Sequence, residues 1–68
     1  MRFRVNRIDT YRKEGIERRS FIMLDWFVDI NTLKELMRFR DKYGKVTINN
    51  SHSSTGENEI IIYKEYTE

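Results

Sequence analysis

Apolar and polar positions alternate near both ends of this chain and switch to a helical spacing in the middle. Phe3 and Val5 alternate with Arg2, Arg4 and Asn6, the pattern of a strand with one apolar face. Ile8 is out of phase with that pair and predicts a bulge near Asn6 and Arg7, or an early strand end. Segment 11–15 is polar and ends in Gly15, which reads as a turn, so a hairpin returning over residues 17–24 is the economical continuation. Residues 21–24 (Phe21, Ile22, Met23, Leu24) form an unbroken apolar run bounded by charge, the signature of a central strand covered on both faces. Segment 25–30, with Trp26, Phe27 and Val28, carries that apolar character into a connection to the next element.

A helix is predicted over about residues 32–43. Thr32 and Glu35 have the spacing of a capping box, in which a hydroxyl and a carboxylate satisfy N–H groups that the first turn leaves unpaired; Asn31 is an acceptable cap one residue earlier. Gly44 can take the left-handed conformation that ends a helix, with Lys42 and Lys45 at the negative end of its dipole. Leu33, Leu36, Met37 and Tyr43 form the apolar stripe, with Phe39 on its flank. Arg40 falls inside that stripe, where it either ligates an anion or carries its guanidinium out to water along an apolar stem.

Beyond Gly44, Val46 and Ile48 alternate with Lys45, Thr47 and Asn49 as a third strand, a wholly polar stretch over 50–58 reads as a hairpin loop, and residues 59–66 form a fourth strand. The element order is therefore β-β-α-β-β, an α+β domain with one four-stranded, mainly antiparallel sheet packed on a single helix. If Val46, Ile48, Ile60 and Ile62 face the helix, then Ile61, Tyr63 and one set from residues 21–24 face away. That second face is too apolar for water and predicts contact with another copy or a partner.

Composition narrows the class. At 68 residues the chain makes a single domain, 1–68, with little core to spare, and without Cys it has no disulfides and few structural zinc arrangements; self-association into a homodimer is the remaining common way to add buried surface. No apolar run is long enough to span a membrane and no signal peptide precedes the first strand, so a cytoplasmic location is expected. The net charge is only +2, but the first twenty residues are basic and the last twelve acidic.

That asymmetry frames two candidate sites. Surplus apolar surface points to a protein interface at Trp26, Phe27, Ile61 and Tyr63, with Trp26 and Phe27 either an exposed anchor or a lid on the core. The basic residues Arg2, Arg4, Arg7, Arg18 and Arg19, set at strand spacing on one face, suit a phosphate backbone, or else an edge strand protected by charge. No catalytic constellation, cofactor loop or metal-ligand spacing is legible. His52 is the lone histidine in a Ser/Asn-rich loop, and Asp25 and Asp29 flank an apolar segment as solvated acids. The expectation is a non-enzymatic protein that binds another protein, with nucleic-acid binding as the alternative.

Three stretches, 28–36, 42–48 and 60–66, which carry Val28 to Leu36, the Lys42-Tyr43-Gly44-Lys45 turn and Ile60 to Tyr66, together resemble small proteins of phages and mobile elements of Gram-positive bacteria. The resemblance covers roughly the last forty residues. It implies an accessory role, binding a host or phage component, and transfers no site residue.

Overall fold

A computed structural model describes residues 1–50 and 57–67 of the chain. Its elements are β1 (Arg2–Lys13), β2 (Ile16–Asp29), α1 (Leu33–Tyr43), β3 (Val46–Asn49) and β4 (Asn58–Thr67). This is the expected β-β-α-β-β order, with one helix on one four-stranded sheet. Strand order is β2-β1-β4-β3. The outer pairs are antiparallel and the central pair, β1 with β4, is parallel, so the sheet is mixed.

The first two strands run farther than their composition suggested. Residues 11–13 belong to β1, and the turn is only Glu14 and Gly15, both at positive φ (51° and 78°), between the paired residues Lys13 and Ile16. Two central residues at positive φ are what the type I′ hairpin requires. Segment 25–30 is likewise no connection, since β2 continues to Asp29. The ladder is irregular beside Asn6, as expected, but the extra residues are not in β1. Its register with β2 shifts between Val5 and Asn6 because β2 carries two extra residues, Leu24 and Asp25, the latter at φ 50°. An insertion of two residues preserves side-chain parity, so Ile22, Leu24, Trp26 and Val28 keep to one face. Ile8 is simply a residue of the other face.

The run 21–24 is in an edge strand and not at the sheet centre. Burial identifies the true centre: Val5 of β1 and Ile60 of β4, register partners, are both at 0% exposure. Around them Phe3, Ile30 and Ile62 complete the buried core, and Leu24, Trp26, Val28, Leu36, Phe39, Tyr43, Val46 and Ile48 pack against it. Val46, Ile48, Ile60 and Ile62 do face the helix.

Helix α1 begins at the Thr32 cap, whose Oγ1 accepts from the Glu35 N–H at 3.1 Å, while Glu35 Oε2 reaches one residue further back and accepts from the Asn31 N–H at 3.0 Å. It ends at Gly44, φ +80°, whose N–H donates to the Arg40 carbonyl at 2.7 Å. The seated face differs from the expected stripe. Phe39 is central to it, its ring tilted against those of Trp26 (5.9 Å) and Tyr43 (4.6 Å), whereas Leu33 is 72% exposed and Met37 is also exposed. The aromatic partner offered by β2 rotates the helix toward Phe39. Arg40 lies outside the packed face and is exposed.

Candidate functional site

Side-chain alternation along the paired strands sorts the candidates onto two faces. Away from the helix lie Arg2, Arg4, Asn6, Ile8, Thr10 and Arg12 of β1, with Phe27, Met23, Phe21, Arg19 and Glu17 opposite them on β2 and Glu59, Ile61, Tyr63, Glu65 and Thr67 on β4. No element covers this open face among the described residues. Its middle is an apolar band: Phe21 is 56% and Met23 69% exposed, next to Ile8, Ile61 and Tyr63. The Tyr63 hydroxyl accepts from Thr47 Oγ1 at 3.1 Å, so the ring is held against β3.

Both ends of the band are charged and internally paired. At one end Arg2 and Arg4 lie over the Phe27 ring, at 4.1 and 5.2 Å from its centroid, and Arg4 Nε is 3.2 Å from Glu57 Oε2. At the other end Arg12 stands 3.3 Å from Glu65 and 3.8 Å from Glu17, which also pairs with Arg19 at 3.2 Å. Asn6, inside the band, is buried; its Nδ2 donates to Glu59 Oε2 at 3.1 Å and its Oδ1 has no partner.

Three of the four residues expected at a protein interface come together. Phe27, Ile61 and Tyr63 share the open face, but Trp26 does not. Its ring packs beneath the helix against Phe39 and Tyr43, so it closes the core. Sequence neighbours in a strand point to opposite sides, which separates Trp26 from Phe27. Phe21 and Met23 are the set from residues 21–24 that faces away with Ile61 and Tyr63, a choice that the alternation left open. Only the run's place in the sheet was misassigned, because an edge strand with one open face and a doubly covered central strand look alike in sequence.

The proposed phosphate row is split. Arg2, Arg4 and Arg19 lie on the open face, whereas Arg7 and Arg18 lie on the helix side, so the five guanidinium groups do not form one row. Arg7 is also engaged: its Nε is 2.8 Å from Asp9 Oδ1 and its Nη2 donates to Oδ2 at 3.1 Å, with the Asp9 carboxylate buried.

The acids Asp25 and Asp29 do not make a pair. Asp25 occupies the bulge, and Asp29 Oδ1 is 3.0 Å from the Met1 ammonium, which also donates to the Ile30 carbonyl and to Asn31 Oδ1. Hydrogen bonds from that ammonium and from Asn31, together with the ammonium's charge, hold the Asp29 carboxyl below its ordinary range. His52 and its neighbouring hydroxyls lie outside the described residues. Among the described residues no group of three or more His, Cys, Asp or Glu is placed to hold a metal, and no helix is long and apolar enough to cross a membrane. No family model, curated protein or solved structure matches this chain.

Proposed function

We propose that this is a small binding protein with no chemistry of its own, acting through protein–protein contacts, and that the open sheet face takes a second copy of the chain. The observation that carries this reading is the exposed band of Phe21 and Met23 beside Ile8, Ile61 and Tyr63, on a face that no element covers among the described residues. Size favours a copy of the chain. A sheet four strands wide is about 19 Å across at ~4.8 Å per strand. The molecule is 42 Å long, so the face presents roughly 600–800 Å², the share of each partner in a standard interface. Charge favours it as well. The two ends of the face neutralise themselves through Arg4–Glu57, Arg12–Glu65 and Arg19–Glu17, so two identical faces meet without net repulsion. Two sheets stacked about 10 Å apart, each backed by its own helix, would bury both bands. A dimer of this kind suits a stoichiometric accessory protein of a phage or mobile element working in the cytoplasm, the setting that the resemblance and the composition suggest.

Sedimentation velocity on the wild type, Phe21→Glu and Met23→Glu, each checked for folding by circular dichroism, tests this. A wild-type dimer with folded monomeric variants is the expected result. A wild type that stays monomeric at the highest attainable concentration removes the self-association reading.

A further inference from the structure

On the helix side of the sheet α1 packs over only one end. It seats on Phe3, Val5, Ile60, Ile62, Trp26 and Val28, and the hairpin end of β1 and β2 with the C-terminal part of β4 extends past it as a shelf that no other element covers among the described residues. Tyr11 and Tyr66 stand on that shelf as register partners of the parallel pair, and their rings stack at 4.8 Å with planes 11° apart. Cross-strand aromatic pairing stabilises a sheet, which accounts for the contact itself. It does not account for the surroundings. The rings remain 46% and 43% exposed, and they line a concavity of about 410 Å³, within the roughly 300–1,000 Å³ typical of small-ligand sites. Its rim carries Lys13 and Arg18. Arg18 is the direct cross-strand partner of Tyr11 and makes no ion pair among the described residues. Among the described residues the one acidic side chain of the rim is Glu14, in the turn.

A stacked aromatic pair with exposed rings offers a π-surface to any flat heteroaromatic ring, and a guanidinium one strand away offers two parallel donors to a phosphate. We propose that this shelf binds the nucleotide unit of single-stranded nucleic acid, the base on the Tyr11–Tyr66 pair and the phosphate at Arg18 and Lys13. The site is independent of the dimer reading, because it lies on the opposite side of the sheet from Phe21 and Met23 and stays accessible in a dimer formed through the open face.

The test is heteronuclear NMR on the full chain, titrated separately with a mononucleotide and with a short single-stranded oligonucleotide, beside fluorescence anisotropy of the labelled oligonucleotide at about 50 and 200 mM salt. The expected result is shift changes centred on Tyr11, Arg18 and Tyr66, with anisotropy affinity that falls with salt. Removing one stacking ring (Tyr66→Leu) should weaken oligonucleotide binding about tenfold or more, Tyr66→Phe should retain it, and Arg18→Glu, a surface change, should reduce it without unfolding. Changes with the mononucleotide alone would identify a free nucleotide as ligand and overturn the nucleic-acid assignment. No shift changes with either ligand would overturn the site. So would changes centred on Arg2, Arg4 and Phe27, which lie on the other face. Because wild-type mapping needs no variant, a Tyr66 variant that fails to fold leaves the test intact.

Discussion

The ring of Trp26 meets that of Tyr43 edge-on at 5.7 Å and joins the strand segment after the bulge to the last turn of the only helix among the described residues. Its neighbour in sequence, Phe27, lies on the other side of the sheet beneath two guanidinium groups. The two aromatics therefore differ in what their loss costs. Trp26→Ala should destabilise by about 3 kcal/mol, the low end for a large core aromatic because the ring is only partly buried. Phe27→Ala should cost about 1 kcal/mol, chiefly through lost stacking of exposed cations. Urea unfolding of both variants checks this, and equal losses would contradict the division of faces.

Arg7 and Asp9 set up a second contrast. Removing the guanidinium leaves a carboxylate that is 2% exposed without its partner, so Arg7→Gln should cost about 2–3 kcal/mol. Arg4→Gln, which gives up a pair with half-exposed members, should cost under about 1 kcal/mol. The order of the two denaturation midpoints is the measurement, and the reverse order would mean that Asp9 is satisfied some other way.

Glu14 holds positive φ at a position of the β1–β2 turn where Asn is favoured. Left-handed backbone costs a non-glycine residue about 1–2 kcal/mol, and Asn tolerates it best. Replacement of Glu14 by Asn should raise stability by about 0.5–1 kcal/mol, whereas Gly15→Ala, at φ +78°, should lower it by about 1 kcal/mol. Thermal melts of the pair decide this.

Asp29 predicts a pH effect whose sign follows from its environment. Its carboxyl is held below 3.8 by the Met1 ammonium and Asn31, so the folded state binds that proton less readily than the unfolded state. The stabilisation is present at neutral pH, begins to fade as pH falls into the ordinary carboxylate range, and is lost below the lowered folded value. An NMR titration of the Asp29 carboxyl should show a midpoint below 3.8, and Asp29→Asn should flatten the acid limb of the stability profile. A midpoint at or above the ordinary value would show that the ammonium contact is not kept in solution.

Local signals in this chain were legible because local physics sets them. Thr32, Glu35 and Gly44 bounded the helix, since capping is an interaction over three or four residues. The two-residue period of β3 and β4 sorted Val46, Ile48, Ile60 and Ile62 from Ile61 and Tyr63, since alternation is a property of the strand alone. The same local view misjudged residues 11–13 and 25–29, where polar or mixed composition hid strand, because cross-strand pairing holds those segments extended whatever their own propensity.

By itself, then, the sequence determined the order of elements, the ends of the helix and an apolar surplus that a single short helix could not cover. Tertiary structure alone decided that β1 and β4 lie parallel at the centre, because strand order depends on which long-range pairs form and not on any local pattern. That one pairing brings Tyr11 onto Tyr66 from opposite ends of the chain. It leaves β2 at the edge, with Phe21 and Met23 exposed on a face that has no second layer among the described residues. The placement of Trp26 was also a tertiary matter: its ring joined the core because the bulge at Leu24 and Asp25 added two residues, an even number, and so kept its side of the strand under the helix.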